Sequence, residues 1–531
     1  MPGLASETGA KNRAVVVGAG IGGLTSAARL AHAGYQVQII DRHDAPGGKM
    51  RTLPSAAGPV DAGPTVLTMR WVFDALFAEL GERLEDHLDL MPQHRLARHF
   101  WRDGSTLDLF DDEERNVAAI ADFAGSRAAA QFRDFSARTR RLFDGFDAPM
   151  MRARAPHPAR IVPYVLRRPA LIPAMAPLSS LDALLDRSFD DPRLRQLFGR
   201  YATYVGGLPQ CAPALLSLIW QSEARGVWTV RGGMHQLARA VEDLARRHGA
   251  QVKYNAHVAS IETTRGAVRG VRLSDGTRLR ADTVVFNGDP RALPTGQLGD
   301  ACRSVARGAA SAGRSLSAEV WAFAARPSGP ELALHNVFFR DDAEEEFHAL
   351  ENGRRVEDPT LYVCAMDRGA AGPPAGPERF EIIANAPPLP SEGAETEKDP
   401  DRCRMRTFQT LAGFGLRFDP EPAADSLTTP HGFETLFPAS LGSLYGQSPH
   451  GLMAAFRRPT ARTRIAGLYL AGGGTHPGAG VPMAALSGRH AVETILSDRT
   501  SPSRSRPTAT RGGTSTASGP AAEKPSASSA S

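Results

Sequence analysis

Cysteine is scarce in this sequence. The four in 531 residues, Cys211, Cys302, Cys364 and Cys403, stand far apart with no Cys-x-x-Cys pair. That spacing excludes a disulfide framework and a thiolate metal centre, so no metal site is expected. The thiols read as reduced, in a cytoplasmic protein. No run of about 18 apolar residues occurs, so no membrane-spanning segment is predicted. The first twelve residues lack an apolar core, and no secretory signal is expected. Aromatics make up 7% and never interleave with a basic stripe, so nucleic acid is not expected as a partner despite a net charge of +5. Units of strand, Gly-x-Gly-x-x-Gly and helix are equally short in supply. There is one, which leaves no evident second site for a nicotinamide nucleotide.

That one unit lies near the start, at Arg13-Ala-Val-Val-Val-Gly18-Ala19-Gly20-Ile-Gly22-Gly23. The apolar run predicts a buried strand ending at Gly18. Gly20 would let the backbone approach a pyrophosphate, and Gly23 would let the next helix pack on the strand. That helix is expected to run to Ala33, stop at Gly34, and aim its N-terminal N–H groups at phosphate. Gln36–Ile40 then reads as a second strand delivering Asp41 to a ribose 2′-OH. A carboxylate there repels a 2′-phosphate, which favours NAD or FAD over NADP. A glycine-rich turn holding no ligand would leave Asp41 without a role.

Pro46-Gly47-Gly48-Lys49-Met50-Arg51-Thr52 follows directly. Its glycines allow another close backbone approach, and Lys49 or Arg51 can face phosphate as a fixed charge. A plain NAD domain has no use for this loop, whereas an extended FAD does. Here the chain resembles the flavoprotein group of amine oxidases, protoporphyrinogen oxidases and phytoene desaturases, many of which carry arginine where Lys49 stands. Far along the chain, Gly467-Leu-Tyr-Leu-Ala-Gly472-Gly473-Gly474 reads as a short strand running into glycines. A helix is predicted from about Met483 to Leu496, its start near Val481 placed to face a flavin ring or ribityl chain. Nearly the whole chain separates the two glycine motifs, so it must return to complete one site. His476, before a proline in a tight loop, reads as structural.

Between these ends the pattern alternates. A hairpin is expected around Asp103-Gly104, then helix from about 113 to 147. From Pro149 to Pro177 prolines, arginines and apolar residues alternate, so no single long helix can form. This stretch could rest on an anionic bilayer or simply cap the fold with its arginines in solvent. Helices are predicted over Ser180–Arg187, capped by Ser179, and from Gly232-Gly233 to His248; Val252–Val258 and Thr283–Phe286 read as strands. Runs at 316–325, 336–339, 361–366 and 380–385 suggest an antiparallel sheet flooring a substrate chamber. The expected organisation is α/β: a Rossmann-type FAD-binding domain in three pieces (13–95, 226–300, 451–498), interleaved with an α+β substrate domain. That second domain comprises a helical cap (96–225) and the sheet (301–450), with flexible ends at 1–12 and 499–531.

From about residue 13 to 497 the chain resembles the bacterial carotenoid desaturases of the phytoene desaturase type. The segments that carry this are Asp61–Arg70, Phe198–Gly207, Gly226–His235 and Gly474–Pro482. Leu96–Ser105, Ser443–Gly451 and Pro482–Arg489 further resemble the hydroxyneurosporene desaturases of purple photosynthetic bacteria. The resemblance implies 3,4-desaturation of a 1-hydroxy- or 1-methoxy-carotenoid, by hydride transfer to flavin N5 and loss of a proton. The intermediate charge would be allylic and spread along the polyene, so no strong side-chain base is required and no catalytic residue is named. The resemblance also implies that the backbone at Val258 meets the adenine. The expected FAD-binding residues are Gly18, Ala19, Gly20, Gly22, Gly23, Asp41, Gly48, Lys49, Val258, Gly472, Gly473 and Val481.

A lipophilic carotenoid must leave the bilayer, which tilts Pro149–Pro177 towards peripheral contact at the inner face of the cytoplasmic membrane. Quinone or oxygen is the expected electron acceptor. Trp220, Trp228, Trp321 and Tyr204 are candidate tunnel walls or ordinary core residues. Another carotenoid desaturase, a non-redox carotenoid isomerase, an amine oxidase and a lipid-binding escort are the rival readings. No cysteine stands beside Gly472–Gly474 to attach a flavin, which weighs against the amine oxidase.

Overall fold

The computed structural model describes residues 12–369, 374–390 and 399–500. The expected flexible N-terminus, except residue 12, and the expected tail from 501 lie outside them, while residues 499 and 500 complete the last helix.

Five parallel strands form the centre, in the order Gln251–Lys253, Gln36–Ile40, Arg13–Val17, Thr283–Phe286, Leu468–Leu470. The inner strands are buried on both faces, which is why they read as unbroken apolar runs. On one face lie three helices, Ile21–His32, His235–Arg247 and Val481–Thr500. The first and last of these touch so closely that a Cβ on Gly488 would overlap Thr25 Oγ1. On the other face packs an antiparallel sheet of Val258–Thr264, Ala267–Leu273 and Arg278–Arg280. The expected single strand Val252–Val258 is therefore two. At Asn255 the backbone turns left-handed (φ 52°) and carries the chain from one sheet to the other.

A second, eight-stranded sheet contains Ser317–Ser328, Glu378–Ala386, Leu361–Ala365 and His335–Phe338, then the hairpin Arg95–Phe100 and Thr106–Phe110. Its pairs are antiparallel except one: His335–Phe338 runs parallel to Arg95–Phe100, which joins the early hairpin to the later strands. The two faces differ in chemistry. Phe100, Trp321, Phe323, Phe338, Phe380 and Ile382 point to a dry core shared with helix Pro400–Gly413. By the alternation of strand side chains, Val320, Ala322, Glu381, Ile383, Tyr362, Cys364 and His335 share the opposite face.

The helical cap begins with Glu113–Phe146, broken at Gly125 (φ 89°). Short helices Pro158–Leu166 and Leu171–Met175 follow, as the prolines require. The next helix is Leu181–Ser188, and its N-cap is Ser180, not Ser179: the Ser180 hydroxyl accepts from the Ala183 N–H at 3.1 Å. Inside the cap Phe132, Phe135, Phe189, Phe198, Tyr201 and Trp220 form one aromatic cluster. The cap is tied to the central domain by two stacked histidines. His476 Nε2 donates to the Ala153 carbonyl at 2.8 Å and His490 Nε2 to that of Met151 at 3.0 Å. Burial holds the His476 pKa down at about 4.

Two outcomes follow from this packing. Phe198→Ala leaves a hole among rings and should cost about 3–5 kcal/mol of stability in denaturant unfolding. A histidine held neutral when folded stabilises the fold at neutral pH, and that stability is lost as pH falls from about 6.5 towards 4, where only the unfolded chain takes up the proton. Melting curves from pH 7 to 4.5 should show this decline, and it should be shallower in His476→Gln.

Candidate functional site

The strand tips at Gly18, Asn287 and Gly472 converge on a single cavity of about 690 Å³, within the range usual for cofactor pockets. The Asn287 side-chain amide stands in the middle of this junction and donates to the Gly18 carbonyl at 3.2 Å. Side chains are excluded around it. A Cβ on Gly20 would lie 2.8 Å from Asn287 Nδ2, and one on Gly22 would lie 2.6 Å from both Asn287 Oδ1 and the Gly472 nitrogen. The glycines therefore bring three chain segments together and leave bare backbone at the start of helix Ile21–His32, which has no side-chain cap. Uncapped N–H groups at such a helix start are an anion site.

Ten of the twelve expected residues border the cavity: Gly18, Gly20, Gly22, Asp41, Gly48, Lys49, Val258, Gly472, Gly473 and Val481. Ala19 and Gly23 do not. The Ala19 side chain is fully buried and its N–H donates to Asp41 Oδ2 at 2.6 Å. Gly23 is pressed against the Gly18 carbonyl, where any side chain would overlap it. Asp41 is locked from both sides, since its Oδ1 also accepts from the His43 N–H at 2.8 Å. None of the four aromatic wall candidates borders the cavity. Trp220 and Trp321 belong to the cores of the cap and the sheet, Trp228 packs beside the central core, and Tyr204 hydrogen-bonds Glu223.

Towards the eight-stranded sheet the cavity becomes cationic. Lys49 is half-buried and donates to the Leu444 carbonyl. Burial lowers its pKa from 10.5 to about 8, Asp289 opposing and Arg314 and Arg458 adding to the fall. Arg314 pairs with Asp289. Arg458 is held by three carbonyls, Gly473 at 2.9 Å, Tyr445 at 3.1 Å and Gln447 at 2.9 Å. Of these three cations Lys49 is the one that lines the cavity, and an amine there can face an anionic group. Asn287, Asp289, Arg314 and Arg458 were not among the residues expected from sequence. Only the turn Asn287-Gly288-Asp289-Pro290 carried a local signal; the two arginines arrive from distant loops. Beyond Lys49 the floor is Val320 and Ile383, with Phe433 and Tyr445 at the sides.

Residues 21–320 match the family described as flavin containing amine oxidoreductase. The chain belongs to that family. It is an FAD-dependent oxidoreductase, and the bare glycine cradle, the fixed Asp41 and the Lys49 amine fit such a cofactor. The chain is 57% identical over 492 residues to a hydroxyneurosporene desaturase of Cereibacter sphaeroides, spanning 93% of this chain and 99% of that protein. It is 51% identical over 491 residues to that of Rhodobacter capsulatus, covering 92% and 98%. A 1-hydroxycarotenoid 3,4-desaturase of a Flavobacterium species is 28% identical, covering 91% and 99%. Among solved structures, a putrescine oxidase bound to putrescine superposes with TM-score 0.55 at 15% identity over 92% of this chain and 99% of that one. An oxidoreductase from Methanosarcina mazei does so with TM-score 0.54 at 16% identity over 91% and 100%. At such identities these two speak for the fold.

Gly22→Ala should abolish retention of flavin because its methyl group collides with Asn287 and Gly472 rather than with a movable side-chain end. The ratio of flavin to protein absorbance in the purified variant checks this. Asp41→Ala should fold and bind flavin more weakly, measured by fluorescence titration of the stripped protein.

Proposed function

We propose that this enzyme introduces a C3–C4 double bond into 1-hydroxy- or 1-methoxy-carotenoids. The observation that carries the reading is the 57% identity, over 99% of its length, to a hydroxyneurosporene desaturase. The site is consistent with it. The start of helix Ile21–His32 would hold the pyrophosphate, Asp41 the ribose, and the backbone at Val258 the adenine. Lys49, Gly472, Gly473 and Val481 would hold the other end of the molecule. Bound FAD supplies the acceptor for the electrons removed from the carbon–carbon bond. The protein's own work is positional: Val320 and Ile383 offer an apolar floor. A cation delocalised along the polyene needs no carboxylate partner to form, so the proton can leave without a dedicated base.

Membrane contact belongs to the same proposal. No helix among the described residues is long and apolar enough to cross a bilayer. The cap nevertheless exposes Leu178 at 99%, Leu166 at 65% and Val162 at 56%, beside Arg160, Arg167 and Arg168 in solvent. Leu452 and Met453 are also exposed, next to Phe456, which packs on the cluster formed by Ile161 and Ala174. Apolar side chains ringed by arginines on short helices are what an anionic surface receives. We place this face on the inner leaflet of the cytoplasmic membrane, where carotenoid is dissolved and quinone or oxygen can reoxidise the flavin.

Expression in cells that accumulate 1-hydroxyneurosporene should yield a red-shifted pigment two hydrogens lighter, by mass spectrometry; a product of unchanged mass would indicate an isomerase. The double change Arg167→Glu, Arg168→Glu should weaken co-sedimentation with anionic vesicles while leaving turnover of detergent-dispersed substrate intact.

A further inference from the structure

The sheet face that floors the cavity carries a carboxyl group without a hydrogen bond of normal geometry. Glu381 is fully buried, and neither of its oxygens makes a hydrogen bond of normal geometry. It lies on Glu378–Ala386 two residues before Ile383, hence on the same face, and pairs across to Ala322 and Cys364. Ile383 and, opposite it, Val320 line the cavity. So do Gly63 and Tyr445, which adjoin the carboxyl.

The groups around Glu381 do not satisfy it. Arg51 is near and of opposite charge, but its Nη2 donates to the Thr428 hydroxyl, its Nε has no hydrogen-bond partner, and it lies over the Phe433 ring at 5.9 Å. The Thr65 hydroxyl is shared with Tyr362 at 2.8 Å, and Tyr362 in turn meets His335 Nδ1 at 2.8 Å. Asp61 brings like charge, and its own oxygens already accept the N–H groups of Met234 and His235. Burial and Asp61 raise the pKa of Glu381 well above the ordinary carboxyl range, more than Arg51, the Gly63 N–H and the Thr65 hydroxyl lower it. The protonated form is therefore more favoured than in an exposed carboxyl. As structure alone it is a cost, because a buried polar group without a well-formed hydrogen bond destabilises a fold and a leucine of similar size would not.

We propose that Glu381 hydrogen-bonds the C1 oxygen of the substrate and so selects 1-oxygenated carotenoids. The inference rests on the function proposed above. In such a substrate a single methylene separates the oxygen-bearing carbon C1 from the C3–C4 bond. Whatever binds that oxygen must therefore sit beside the place where the bond is oxidised, and the rest of the polyene has no use for a polar group. Glu381 is the buried carboxyl next to Ile383, on the cavity floor. A neutral carboxyl donates one O–H and accepts at its carbonyl oxygen, which matches an alcohol in both directions and an ether in one. A site that hydrogen-bonds a substrate hydroxyl rejects the analogue lacking it far more strongly than an apolar pocket rejects a missing methylene.

The test uses the FAD-loaded full chain with two polyenes of equal conjugation, one carrying the 1-hydroxyl and one without it. Wild type should prefer the hydroxylated polyene in kcat/KM. Glu381→Leu should lose that preference on the order of 100-fold, mostly through the hydroxylated substrate, while retaining FAD and melting no lower than wild type. Glu381→Gln, which keeps one donor and one acceptor, should retain most of the preference. A wild type without preference overturns the inference, as does a Glu381→Leu enzyme whose preference is unchanged. A Glu381→Leu chain that fails to fold or to hold FAD marks the carboxyl as structural and overturns it equally. If the proposed function itself is wrong, wild type forms no dehydrogenated product from either polyene, which is a different result from product formed without discrimination.

Discussion

The side-chain amide of Asn287 occupies the space that Gly20, Gly22 and Gly472 leave free, and the rest of the architecture turns on that contact. It lies at the tip of Thr283–Phe286, the strand between Arg13–Val17 and Leu468–Leu470 in the central sheet. By bonding to the Gly18 carbonyl and filling the gap beside Gly472, it draws the first and last thirds of the chain to one point. The glycine motif thus serves packing as much as any ligand. Bare backbone at the helix start is what remains once protein atoms have used the surrounding room. The same closeness recurs higher up, where Gly488 admits Thr25 and Ser26 and lets the first and last helices touch.

From that junction the molecule divides its chemistry by faces. The eight-stranded sheet buries phenylalanine and tryptophan on the side covered by Pro400–Gly413, so its stability is supplied away from the cavity. Its other side can then carry Glu381, Tyr362, Cys364 and His335, a row of groups that no packing argument would place there. Trp321 and Glu381 differ in face because strand residues alternate, not because their surroundings differ in depth. The cap is built the same way. Its aromatic cluster is internal, while Val162, Leu166 and Leu178 are turned outward among arginines. His476 and His490 then fasten its 151–153 carbonyls to the last helix and the loop before it.

Much of this was legible from local pattern. The first strand, the helix stopping at Gly34, the carboxylate after the second strand and the returning glycines each have a signature spanning only a few residues. The strand edges at 317–328 and 378–386 differ from the expected ones by a few residues only. Where reading failed, a single local feature had been outvoted by a distant one. Val252–Val258 has the composition of one strand, yet Asn255 turns it into the hydrogen-bonding reach of His43 and Asp41. Ser179 is the expected cap, but its hydroxyl is taken by Arg187 and Ser180 caps instead. The one parallel pairing in the larger sheet joins Arg98 to Asn336, and nothing in either segment announces the other.

By itself, then, the sequence determined the nucleotide-binding frame, the flavin class of cofactor and the family, because each rests on short-range backbone geometry written in glycines and alternating apolar residues. The tertiary structure decided which residues surround the cavity and which stand behind them. Asn287 lines it, Arg314 and Arg458 stand near Lys49, and Glu381 lies on the sheet face of Ile383; their spacing along the chain carries no trace of their meeting. It also decided how those residues ionise: burial favours the protonated form of Glu381 and pulls the Lys49 pKa down to about 8. Ionisation depends on what surrounds a group in space, and only the folded chain supplies that.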